Sequence, residues 1–78
     1  MNETATKPAR VIGINQNENI IFAAIKMKAE NISCLIVNDD KGRIAGLLTE
    51  RDIANCVAAS PKELENIPIS RIMTPRIV

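Results

Sequence analysis

The stretch Ile32-Ser33-Cys34-Leu35-Ile36-Val37 constrains the fold more than any other, because its β-branched and apolar residues do not alternate with polar ones. A strand with one solvated face alternates; a nearly continuous apolar run asks for cover on both faces. The next segment, Asn38-Asp39-Asp40-Lys41-Gly42, is a turn in which Gly42 can take the positive φ that other residues resist. A second apolar strand follows over Arg43 to Leu48, so the pair reads as an antiparallel hairpin. In a chain of 78 residues, the material left over is too short to shield both sides of such a sheet.

The remaining elements fall around this hairpin. Arg10 to Ile14 is a short apolar run that reads as a first strand, followed by the loop Asn15-Gln16-Asn17-Glu18-Asn19, any of whose Asn residues can cap a helix. Ile20 to about Glu30 is helix-like and ends at Asn31, with an apolar arc wide enough to require more than one neighbour. Phe22 and Met27 are expected in its core face. From about Glu50 to Ala59 a second helix carries the stripe Ile53, Cys56, Val57, and Ser60-Pro61-Lys62-Glu63 reads as the capped start of a short further helix that Pro68 ends. The order is strand, helix, strand, strand, helix: an α+β fold with a small three-stranded sheet and its helices on one face. The other face needs a partner, from a second half or a second copy.

Composition excludes several function classes. Ten Lys and Arg are mixed with nine acids, and the single aromatic, Phe22, cannot form a row of base-stacking platforms, so no nucleic-acid surface is expected. The longest strongly apolar stretch, Ile20 to Ile25, is far short of a membrane helix, and the polar, acidic N-terminus is unlike a secretory signal; the expectation is a cytoplasmic protein without membrane insertion. Cys34 and Cys56 read as inert core thiols rather than as a disulfide or a metal site, since the chain has no His. The same lack, with no activated Ser or Cys and no close carboxylate pair outside the Asp39-Asp40 turn, argues against an enzyme.

Function concentrates where Gly46-Leu47-Leu48 runs into Thr49-Glu50-Arg51-Asp52. The first N–H groups of a helix have no intrahelical partner and carry partial positive charge, which suits an anionic or polyol ligand. Two readings coexist. Thr49 and Asp52 fit a plain capping box, with Arg51 a solvated helix residue, and they equally fit a ligand site. The chain ends also echo each other: Thr6-Lys7-Pro8-Ala9-Arg10-Val11-Ile12 and Thr74-Pro75-Arg76-Ile77-Val78 share a Thr, a Pro, an Arg and a β-branched pair. Either chance or the opening of a second, similar unit accounts for this.

With these residues in place, the pattern resembles the CBS domain, the regulatory module named after cystathionine β-synthase. The resemblance covers about Val11 to Val78 and rests on Ile32 to Asp39, on Gly42-Arg43-Ile44-Ala45-Gly46-Leu47-Leu48-Thr49-Glu50-Arg51-Asp52-Ile53, and on Ile72-Met73-Thr74-Pro75. It implies a tail over 1–10, one βαββα motif over 11–68, and over 69–78 a connector and entry strand of a second motif. It further implies that motifs pair, as a homodimer or in tandem, and hold a regulatory adenosine-type ligand such as AMP, ATP or S-adenosylmethionine between them, with no resident cofactor. Carried over by position, the Thr49 hydroxyl would meet phosphate or ribose, Asp52 would accept from the ribose diol, and Arg51 would stand near the phosphate. Ile32, Ser33 and Cys34 would line the adenine, with Ile12 and Ile14 completing the wall. The chain departs from the family where many members place Thr or Ser before the first helix; here Glu18 would be unfavourable beside a phosphate. The alternative reading is an assembly module whose paired motifs hold a larger protein together around an empty, vestigial cleft.

Overall fold

The computed structural model describes residues 11–76. The tail over 1–10 and the outer parts of the two echoing segments, 6–10 and 77–78, lie outside the described residues.

A four-stranded sheet in the order β1-β2-β3-β4 forms the centre. Strand β1 (Gly13–Asn15) runs parallel to β2 (Cys34–Asn38), and β2 is antiparallel to β3 (Ile44–Thr49). The turn between β2 and β3 is built by Asp39, whose Oδ1 accepts from the N–H groups of Lys41 and Arg43, both at 2.9 Å. Gly42 has φ +80°, the left-handed conformation that the sequence demanded of it. A register shift between Val37 and Asn38 marks where the hairpin leaves regular pairing.

Local capping sets the two long helices. Helix α1 (Ile20–Glu30) starts where the Asn19 side chain accepts from the Phe22 N–H at 2.9 Å. It stops at Asn31, which is left-handed at φ 57° and donates its N–H to the carbonyls of Lys28 and Met27. Helix α2 (Glu50–Ala59) begins at Thr49. Ser60 serves as the C-cap of α2, its N–H bonded to the Cys56 carbonyl at 2.9 Å, and so does not open a new helix. The short helical turn comes later, as a 3-10 segment over Leu64–Asn66, and a one-turn helix, α3 (Ile69–Ile72), follows Pro68.

The expected three-stranded sheet gains a fourth strand. After α3, β4 (Thr74–Pro75) pairs antiparallel with Gly46 and Leu47 of β3, and the Arg76 N–H continues the contact to the Ala45 carbonyl at 2.8 Å. Gly46 permits this approach, because a Cβ there would run into the Thr74 carbonyl oxygen and Pro75. The residue's missing side chain is a tertiary requirement that its sequence neighbours do not announce.

Both long helices lie on one face of the sheet. Ile14, Leu35, Val37 and Leu48 turn inward from the strands and meet Ile20, Ala23 and Met27 of α1 and Cys56 of α2 in one core. Ile67 and Ile69 seal its end. On the opposite face, the paired row Gly13, Ile36, Leu47 and Thr74 has no helix over it among the described residues, and Leu47 is 41% exposed. The apolar arc of α1 divides in the same way: Ile20, Ala23 and Met27 are buried, whereas Phe22 at 45% and Ile25 at 60% remain exposed. Phe22 is therefore a surface residue and not core as expected. In the α2 stripe Cys56 is buried and Ile53 packs against the core, but Val57 faces outward.

Candidate functional site

The left-handed Asn31 reverses the chain at the end of α1, and the Ile32 N–H bonds to the Met27 carbonyl at 3.0 Å. Ile32, Ser33 and Cys34 are thereby laid beside the start of α2. Two contacts fix the junction: Cys34 pairs with Thr49 across β2 and β3, and the Glu50 N–H donates to the Ser33 carbonyl at 3.0 Å. An open groove of about 620 Å³ results, lined by Ile32, Ser33, Cys34, Met27, Lys28, Asn31 and Glu50. It carries one cation, Lys28, and one carboxylate, Glu50, with the Asn31 amide and the Ser33 hydroxyl among apolar groups.

Cys34 is exposed at this groove, in contrast to the buried Cys56, so only one of the two thiols is the core residue expected; both are free. The reason is register. Leu35 and Val37 take the inward positions of β2, which turns Cys34 and Ile36 to the side that the helices do not cover.

Thr49 and Asp52 form the complete reciprocal cap. The Asp52 N–H donates to Thr49 Oγ1 at 3.2 Å, and the Thr49 N–H donates to Asp52 Oδ2 at 2.9 Å. Both side chains are half-buried, and Arg51 is exposed. With Glu50 and Asp52 both in its first turn, α2 carries two carboxylates at its positive end, a favourable placement for the helix. A carboxylate has room for about four hydrogen bonds, so Asp52 keeps acceptor capacity beyond its cap.

The structure brings together Ile32, Ser33, Cys34 and the Thr49–Asp52 cap. Ile12 is half-buried, packs against the core and does not line the groove; its carbonyl accepts from the Ile36 N–H at 3.0 Å. Ile14 does not join them: it pairs with Val37, shares its inward direction and is 5% exposed in the core. The loop Asn15–Asn19 sits against Asn38, at the other end of β2 from Cys34, so Glu18 does not border the groove. Lys28, Asn31 and Glu50 were missed as groove residues. Lys28 had one available signal, as an isolated charge on an otherwise apolar arc of α1.

The family model described as CBS domain matches residues 6–59. The chain is 31% identical over 65 residues to the CBS domain-containing protein CBSCBSPB5 of Arabidopsis thaliana, an alignment that covers 83% of this chain and 12% of that protein. Among solved structures it is similar to the CBS-domain containing protein ATU1752 of Agrobacterium tumefaciens, with a TM-score of 0.83 and 28% identity over 95% of this chain and 55% of that one. The CBS domain protein PAE2072 of Pyrobaculum aerophilum, solved in complex with AMP, gives a TM-score of 0.79 over 100% of this chain and 60% of that one; at 16% identity this likeness is one of fold. The chain thus spans only part of each relative. The matched family model, the motif at Gly46 to Asp52 and the βαββ-α order of the elements agree, and the chain belongs to the CBS domain family of regulatory modules.

Proposed function

We propose that this CBS domain is a regulatory binding module that pairs with a second motif and takes an adenosine-type ligand, of the AMP, ATP or S-adenosylmethionine class, beside the junction of β2 and α2. The observation that carries the reading is that junction: Ser33 and Cys34 are tied directly to Glu50 and Thr49, next to an open groove and an uncovered sheet face. Backbone groups of Ile32, Ser33 and Cys34 suit the polar edge of an adenine, and their apolar atoms suit its face. The Thr49 hydroxyl serves phosphate or ribose, and the remaining acceptor sites of Asp52 serve the ribose diol, which offers two donors. Arg51, exposed one residue before Asp52, is the nearby cation for a phosphate. Ile12, packed against the core, and Ile14, within it, support that wall. The AMP complex of the structurally similar Pyrobaculum protein supports the choice of ligand class.

One observation favours a second reading. The Thr49–Asp52 cap is already closed, so the same residues have a complete structural role without any ligand. On that reading the module assembles a larger protein and its cleft is vestigial.

Thermal melts with AMP, ATP, adenosine and S-adenosylmethionine separate the two. A ligand at about 100 times its Kd adds roughly 2.7 kcal/mol to the folded state. Asp52→Ala is expected to abolish that gain and also to lower basal stability by about 1 kcal/mol through the lost cap; Asp52→Asn separates the two effects, keeping an acceptor for the cap while removing the charge. Melts unmoved by all four compounds at millimolar concentration would overturn the binding reading in favour of assembly.

A further inference from the structure

The loop between β1 and α1 is held from two sides by different parts of the chain. On one side is the hairpin turn. Asp40 Oδ1 accepts from Asn15 Nδ2 at 3.2 Å and from Asn17 Nδ2 at 2.9 Å, and the Gln16 N–H donates to the Asn38 carbonyl at 2.8 Å. The orientation of the Asn15 amide is set locally, because its Oδ1 accepts from the Asn17 N–H at 2.7 Å and so turns Nδ2 toward Asp40. A carboxylate only accepts, so the two amides must approach it donor first. Asp39 is engaged within its own turn by Lys41 and Arg43, which leaves Asp40 as the turn's outward carboxylate.

On the other side is the segment by which the chain leaves the motif. The Ser70 N–H donates to the Gln16 carbonyl at 2.9 Å, and the Ile69 N–H donates to the Glu18 carbonyl at 2.8 Å. Asn19 and Pro68 form a bridge, and the Ile20 N–H donates to the Ile67 carbonyl at 3.1 Å. Ile69 is fully buried at this seam. The stretch from Gln16 to Asn19 therefore meets the hairpin with the Gln16 N–H and the Asn17 side chain, and the connector with the carbonyls of Gln16 and Glu18.

We propose that the Asn15–Asp40–Asn17 clamp is a conformational coupling device: by fixing the loop's carbonyls, the hairpin turn sets how firmly the first amides of the connector, those of Ile69 and Ser70, are held. Ile67 and Ile69 anchor the connector in the core, so what falls to the loop is the alignment of the backbone amides of its first turn, since α3 is only four residues long and Pro68 at its N-cap supplies no side-chain cap. Two charge-assisted amide contacts on an exposed turn thus bear on the backbone hydrogen bonds of a seam on the loop's other side. Whatever chain follows the connector would feel the state of the clamp. The inference does not depend on any ligand.

Amide hydrogen exchange on the full chain, at one fixed protein concentration, tests it. Asp40→Ala is expected to speed exchange at Ile69 and Ser70 by roughly fivefold to tenfold, with the β2–β3 ladder and the interior of α2 unchanged. Asp40→Asn, which retains a side-chain acceptor, is expected to recover most of the protection. Asn17→Ala, which removes one of the two donors and leaves the turn intact, is expected to give a smaller acceleration at the same two amides. Unchanged exchange at Ile69 and Ser70 in both Asp40→Ala and Asn17→Ala would overturn the coupling. So would an acceleration spread evenly over β2, α2 and the connector, which would make the clamp a general brace.

Discussion

At the scale of single residues, the hairpin turn shows how one carboxylate organises backbone. The Arg43 N–H bonded to Asp39 holds its carboxyl below the usual carboxylate value, helped by the Lys41 N–H and the Arg43 guanidinium at 3.2 Å and opposed by partial burial. A lowered folded value means that the ionised form stabilises the fold above the ordinary carboxylate pKa. That contribution is lost as pH falls through the folded value. Asp39→Asn is therefore expected to flatten the acid limb, with a smaller drop in Tm between about pH 5 and pH 3 than the parent chain shows. A parallel loss in both proteins over that window would assign the acid sensitivity elsewhere. The turn's sequence, Asn38-Asp39-Asp40-Lys41-Gly42, was enough to locate it, because the contacts of Asp39 and the φ of Gly42 are local. It was not enough to reveal the role of Asp40, whose amide partners lie 25 and 23 residues away.

At the scale of elements, legibility again follows the range of the interactions. Helices Ile20–Glu30 and Glu50–Ala59 sit where the sequence placed them because Asn19, Asn31 and Thr49 define their ends within one turn. Ser60 misled for the same reason: the residue that resembled a start is used as an end. Which apolar residues are covered was not legible, since Phe22, Val57 and Cys34 are as apolar as their buried neighbours and differ only in the direction they face. An entry strand was expected within 69–78, but the pairing of Thr74–Pro75 with β3 was hidden because that partner edge is created by the absence of a side chain at Gly46. Gly46→Ala is expected to eject β4 while the helices and the β2–β3 ladder persist. Exchange at the Arg76 N–H, bonded to Ala45, would rise sharply, and that of the Leu35 and Leu48 amides would not. Retained protection at Arg76 would show that the edge strand can shift to accommodate the methyl group.

For the whole molecule, the two halves of the candidate site were legible in different degrees. The Thr49–Asp52 cap is a contiguous motif and could be read directly, whereas the groove arises from Asn31 reversing the chain and so recruits Glu50 without a sequence signal and Lys28 with only that of an isolated charge on an apolar arc. Among the described residues the uncovered sheet face follows from length: two helices of eleven and ten residues shield one side of the sheet. If that face pairs with a second copy, Leu47→Lys is expected to lower the mass in solution at micromolar concentration, since burying an ammonium group against Ile36 of a facing motif is strongly unfavourable. An unchanged mass with Leu47→Lys would show that this face carries no pairing contact. Sheets invite a further, unwanted kind of association, through their rims. Here one margin is the three-residue β1, and the other is a two-residue strand that contains Pro75, which has no amide hydrogen to offer an incoming chain. Among the described residues both borders thus discourage fibril-like lateral growth, so an association of this motif through its broad surface would be one that saturates after a single partner.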